Sequence, residues 1–204
     1  MHPFYVSFFT PLYQDEAAGL VESLDRFGLE HEVVAMADRG GWQRNTREKA
    51  WLLGLTLFAH PRRPVVWLDA DARVRAFPEL FEIWAQREAL KQLGHDLGPL
   101  PAPDFAAHWK PKPAPYGGTE LLSGTLYFSG SKASIELVED WRERCESHPD
   151  DYDQLSLENV VKEQSRLSVV DLPSSYTCIF DAEPSMGPPV ICHYQASRRL
   201  KRSE

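Results

Sequence analysis

The chain has 204 residues, 43% hydrophobic and 25% charged, enough for one domain with a sizeable core and too few for two. A formal net charge of −8 argues against a general nucleic-acid binder, and no apolar run reaches bilayer-spanning length. Three cysteines, Cys145, Cys178 and Cys192, lack zinc-site or redox-pair spacing and read as free thiols; with no basic start or cleavage site at the amino end, they point to a cytoplasmic protein.

Strands alternate with helices along the chain. "FYVSFFT" is a short aromatic and β-branched run ending at Thr10-Pro11, and Ala17, Leu20, Val21, Leu24 and Phe27 then recur at helical spacing. "HEVVAMAD" supplies a second strand. Asn45 to Ala59 reads as a helix with Trp51, Leu52, Leu55 and Phe58 on its inner side, stopped by Pro61. "PVVWLDADARV" reads as one third strand, and Pro78 opens a helix carrying Leu80, Phe81 and Trp84. This βαβαβ pattern predicts an α/β domain with a parallel sheet covered on both faces.

From about Gly94 to Gly118 proline, glycine and small residues predict a loop or flap, within which "DFAAHW" has strand character. "TLYFSG" then reads as a strand, Ser134 to Cys145 as a helix with Ile135, Val138, Trp141 and Cys145 inward, and Asp153 to Glu163 as another helix. "LSVVDLP" and "PVICHY" read as late strands before the basic tail "SRRLKR". There is no internal repeat.

The chemistry concentrates at Asp69 and Asp71. Ligands of open α/β sheets bind beyond the carboxyl ends of the strands, which is where these two residues fall. On a continuous strand, residues two apart point the same way, so both carboxylates would reach one cation while Ala70 faces away. A hard divalent ion takes one or two carboxylates completed by substrate phosphates and water. The plainer alternative is a polar turn capping a buried strand.

The segments "GGWQRNTREKAWLL", "WLDADARV" followed by "FPELF", "ELLSGTLYFSGSKASIELVEDW", "DDYDQLSLENVV" and "ICHYQASRR" resemble, in that order, the nucleotide-diphospho-sugar transferases. These are glycosyltransferases of the Rossmann-like GT-A fold, with a mostly parallel central sheet, helices on both faces and a DxD metal site. The resemblance spans Phe4 to Arg199 and implies a single transferase domain over 1–204. It implies that Asp71 coordinates Mn²⁺ or Mg²⁺ beside the diphosphate of a nucleoside-diphosphate sugar, with Asp69 nearer the ribose or metal water. It implies further that His193 closes the metal site, where an imidazole favours Mn²⁺, and that Thr10 and Tyr13 lie beside the base and ribose. Asp153 and Gln154 resemble an acceptor-side Asp-Gln pair, and the acceptor itself is unassigned among saccharides, proteins and small molecules.

Each position also has a structural reading: His193 as the end of a buried strand, Thr10 and Tyr13 as turn chemistry, and Asp151 with Gln154 as a helix capping box. Asn45 and Lys49, four apart, share a helix face that would follow the carboxyl edge and bring Lys49 to a phosphate. Trp42 is a candidate cover for the base, and Ser123, Gly124 and Thr125 allow close approach to the backbone or form a tight turn. Arg198, Arg199 and Lys201 are candidate diphosphate clamps or a solvated tail. If transfer inverts configuration, the candidate bases are Asp153, Glu120 and Asp104; retention requires none. Two other classes stay open, a nucleotide-sugar-binding module without turnover and a metal-dependent phosphohydrolase or nucleotidyltransferase.

Overall fold

In the computed structural model, the residues described are 1–95, 98, 102–112, 114–115, 117–181 and 187–200, the last two without their side chains. Strands β1 (Phe4–Phe9), β2 (His31–Ala35), β3 (Val65–Leu68), β5 (Phe105–Pro111), β6 (Thr119–Phe128) and β7 (Val169–Asp171) form one sheet in the order β2-β1-β3-β6-β5-β7. Every neighbouring pair is parallel except the two made by β6, which runs against both β3 and β5. A small second sheet, β4-β9-β8, is built from Ala72–Val74, Ile191–His193 and Cys178–Ile179.

Helices cover both faces of the large sheet. On one side, α2 (Trp42–Ala59), α4 (Lys132–Ser147) and α5 (Asp153–Glu163) bury Leu53, Leu57, Val138, Trp141 and Leu157 against Val65, Trp67, Leu126 and Phe128. On the other, α1 (Gln14–Arg26) and α3 (Glu79–Gln92) bury Leu20, Leu24, Phe81 and Trp84 against Val66, Leu68 and Tyr127. The alternation of Val65 and Trp67 with Val66 and Leu68 follows from the two-residue period of a strand, and double coverage explains why β3 is apolar throughout. The α/β class and the mostly parallel sheet expected from the sequence are therefore present.

Three local expectations are corrected. The segment "PVVWLDADARV" is not one strand: β3 ends at Leu68, the Ala72 N–H closes a turn on the Asp69 carbonyl at 2.8 Å, and β4 leaves to pair with β9. Asp69 and Asp71 thus sit on a turn between two sheets, and strand alternation does not set their directions. Helix α2 begins at Trp42, and its inner stripe is Lys49, Ala50, Leu52, Leu53, Thr56 and Leu57. Trp51, Leu55 and Phe58 instead face outward; two apolar stripes compete on this helix, and α4 selects the one containing Leu53 and Leu57. Finally, Ser123, Gly124 and Thr125 lie within the ten-residue β6.

Candidate active site

The carboxyl ends of β1 and β3 meet the middle of β6 at one edge of the sheet, because the antiparallel β6 pairs Thr125 with Leu68 and its Gly124 carbonyl accepts the Asp69 N–H at 2.8 Å. A cavity of about 380 Å³ opens there, and its lining includes Thr10, Tyr13, Trp42, Asn45, Lys49, Asp69, Asp71, Asp153, Gln154 and His193. Thr10, Tyr13, Asn45, Lys49, Asp69, Asp71, Asp153, Gln154 and His193 therefore come together in one cleft, although they come from five separate stretches of chain.

Lys49 forms the floor. Its side chain is only 4% exposed, and its ammonium lies 3.0 Å from Asp69 Oδ1 and 3.0 Å from Asp153 Oδ2. It also donates to the Ser123 carbonyl at 3.1 Å and to Ser123 Oγ at 3.2 Å. Burial alone would lower the Lys49 pKa, but the charges of Asp153 and Asp69 outweigh it and raise the value well above that of free lysine. Lys49 is thus a charged internal clamp that holds the carboxylates of Asp69 and Asp153 together, with its donors already engaged. Its role as a tie between Asp69 and Asp153 was not legible in the sequence; a lysine that follows Arg47 and Glu48 in a charged run gives no sign of burial.

Asp69 is held a second time, by the Trp67 indole N–H donating to Oδ1 at 2.8 Å. Its other oxygen is directed toward Gly124. Asp71 is mostly buried, with a side chain 14% exposed. Its Oδ2 accepts the Ala196 N–H at 2.8 Å, and its Oδ1 lies 3.5 Å from His193 Nδ1. Burial would raise the Asp71 pKa, but hydrogen bonding and charge from His193, the Ala196 amide and Arg73 together hold it below the usual carboxylate range. The other ring nitrogen of His193, Nε2, is 2.8 Å from Thr125 Oγ1. That bond fixes the ring plane, as a supporting contact does for a ligating histidine.

Gly124 has a specific reason to lack a side chain. A Cβ built there would stand 2.9 Å from His193 Cε1, 3.1 Å from His193 Nδ1 and 3.4 Å from Asp69 Oδ2. Since Thr125 holds the imidazole from behind, the ring cannot retreat freely. Gly124→Ala is expected to displace His193 while the fold survives and, if His193 closes a metal site as the resemblance implies, to weaken Mn²⁺-dependent nucleotide binding by at least about tenfold. Calorimetric titration measures this, and unchanged affinity would show that His193 takes no part.

The other residues fall as follows. Thr10 is buried, and its carbonyl accepts the Tyr13 N–H at 2.8 Å. Asn45 borders the cleft, but its amide spans the preceding loop, accepting from the Arg39 N–H at 2.7 Å and donating to Asp38 Oδ1 at 2.9 Å. Gln154 Oε1 accepts the Ser123 N–H at 3.3 Å. The capping-box reading of Asp151 and Gln154 is corrected: Tyr152 is the N-cap of α5 without a side-chain cap bond, while Asp153 occupies the first helical position, buried on Lys49. Asp104 lies outside the cleft lining and ties elements together, accepting from Ser131 Oγ at 2.6 Å and the Ser168 N–H at 3.0 Å. Glu120 lines the cleft, and Arg198 borders it while pairing with Asp181 at 3.0 Å. Lys201 and the Arg199 side chain lie outside the described residues.

No family profile matches the chain and no curated protein matches it. Solved structures do. A glycosyltransferase involved in glycosylation of the major capsid of PBCV-1 aligns at a TM-score of 0.65 and 16% identity, over 99% of this chain and 98% of its own. GlyE, a glycosyltransferase of Streptococcus pneumoniae TIGR4, aligns at 0.60 and 17% over 95% of this chain, which spans 54% of that longer protein. The galactosyltransferase LgtC, solved with donor and acceptor sugar analogues, aligns at 0.55 and 13%, over 98% of this chain and 94% of its own. At such identities the likeness establishes the fold: this chain carries the GT-A fold of these glycosyltransferases.

Proposed function

We propose that the protein is a metal-dependent glycosyltransferase that moves a sugar from a nucleoside-diphosphate sugar to an acceptor hydroxyl. The observation that carries this reading is the convergence of Asp69, Asp71 and His193 on the space opposite Gly124, inside a cleft at the carboxyl edge of a GT-A sheet.

Among the described residues no three His, Cys, Asp or Glu side chains are gathered tightly enough to enclose a metal ion by themselves. The donor set nevertheless fits an ion that shares its coordination with a substrate. Asp71 has one oxygen fixed by Ala196 and the other directed at His193 Nδ1, while the far nitrogen of His193 is held by Thr125. Two protein ligands completed by diphosphate oxygens is the usual manner for Mg²⁺, and the imidazole tilts the preference to Mn²⁺. Bound there, the ion would stabilise the charge that grows on the departing diphosphate.

The remaining work belongs to the chain. Thr10, Tyr13 and Trp42 would receive the nucleoside, and Asp153 and Gln154 the acceptor side. Lys49 keeps Asp69 and Asp153 from shifting as the substrate charge changes, which is preorganisation of the kind that lowers barriers without reorganisation. Asp153, with Oδ2 on Lys49 and 3.4 Å from Ser123 Oγ, serves to position the acceptor and is poorly placed to take its proton. That same engagement favours a second reading, a module that binds nucleotide sugar without turnover.

Thermal stabilisation by a panel of nucleotide sugars tests the binding half of the proposal. A donor present at about 100 times its Kd stabilises the native state by about 2.7 kcal/mol, and the shift is expected only with Mn²⁺ or Mg²⁺ present. Equal shifts in the presence of chelator would refute the metal site.

A further inference from the structure

The small sheet has two sides with different surroundings. Thr177, Ile179 and His193 line the catalytic cleft, whereas Phe180 and Tyr194 line a separate cavity of about 540 Å³ together with Arg73 and Arg75. Alternation along β8 and β9 places Cys178 and Cys192 on the side away from the cleft. Arg73, the register partner of Cys192 on β4, borders that second cavity in agreement.

Cys178 and Cys192 are themselves direct register partners in the parallel β8–β9 ladder. Neighbouring strands lie about 4.8 Å apart, inside the Cα separation of about 4.4–6.8 Å that a disulfide spans. The bond also needs the Cβ atoms near 3.8 Å, and β8, a two-residue strand at the edge of its sheet, has a strand partner on one side only. Cys178 is half-buried and within reach of an oxidant, whereas Cys192 is buried behind it and the third thiol, Cys145, lies in the other core.

We infer that Cys178 and Cys192 form a reversible disulfide that staples β8 to β9 and stiffens the wall of the cleft that carries His193. The oxidant is a small-molecule disulfide such as oxidised glutathione. The Cys178 thiolate attacks it and releases one glutathione; Cys192 then displaces the second, so two thiols are oxidised, one disulfide is reduced, and the two thiol protons leave with two reduced glutathiones. The consequence reaches the cleft through the backbone, since the Phe180 N–H donates to the His193 carbonyl at 3.1 Å and the Phe180 ring stacks on Tyr194 at 5.4 Å. This inference does not depend on the sugar-transfer reading and is tested without any substrate.

The folded full chain is treated with oxidised glutathione, mapped under non-reducing conditions, and followed by hydrogen exchange at the Phe180 amide. The expected result is a peptide linked through Cys178 and Cys192 with Cys145 still free, recovery of all three thiols on adding dithiothreitol, and exchange at Phe180 at least tenfold slower in the oxidised form. The Cys192→Ser variant should instead carry glutathione on Cys178. Glutathione retained on Cys178 of the native chain, disulfide-linked dimers, three unchanged thiols, or a linked peptide with unaltered Phe180 exchange would each overturn the inference.

Discussion

Lys49→Met is expected to destabilise the protein by about 3 kcal/mol, the scale on which removing one member of a buried ion pair strands its partner. The partner here is Asp153, whose side chain is 4% exposed and whose Oδ2 lies 3.0 Å from the ammonium. Asp69, at 40% side-chain exposure, retains water and adds less to the loss. Methionine keeps the apolar stem that α2 buries, so the change isolates the charge. Urea unfolding measures it, and a loss below about 1 kcal/mol would mean that the two carboxylates do not rely on Lys49. Nucleotide binding should weaken in the same variant, because Asp69 keeps only the Trp67 N–H to hold it.

Asp71→Asn should separate binding from folding in the opposite way. Asparagine is isosteric and its carbonyl oxygen can still accept the Ala196 N–H, so the expected cost in stability is about 1 kcal/mol, that of a weakened hydrogen bond. Mn²⁺-dependent nucleotide affinity should nevertheless fall at least a hundredfold, since losing a ligand should exceed the 10–100-fold cost of losing one of its supporting partners. Undiminished metal-dependent affinity in this variant would remove Asp71 from the site. Together the two substitutions discriminate a residue that builds the cleft from one that works in it.

The strand–helix alternation was legible because short β-branched and aromatic runs alternate with longer stretches whose apolar residues recur three to four apart. The break between β3 and β4 was not, since "DADARV" alternates equally well whether the strand continues or changes sheet; the long-range pairing of Ala72 with His193 decides it. Likewise α2 carries two apolar stripes, and only packing against α4 distinguishes Leu53 and Leu57 from Trp51 and Leu55. The two aspartates stood out as chemistry at a strand end and His193 through the resemblance, and the cleft brings them together. What joins them did not stand out. The Thr125 hydroxyl behind His193, the Trp67 indole on Asp69 and the space kept open by Gly124 all depend on β6 lying antiparallel beside β3, a neighbour that local sequence does not announce.

Turnover is the most direct test of the central claim. The protein is incubated with each of a panel of nucleotide sugars, with and without candidate saccharide, peptide and small-molecule acceptors, and released nucleoside diphosphate is measured. A transferase should hydrolyse its bound donor slowly even without acceptor, because water can occupy the acceptor position, and release should stop with chelator and return with Mn²⁺. Tight metal-dependent binding with no release from any donor, and no transfer to any acceptor, would contradict the account and identify the cleft as a binding site alone.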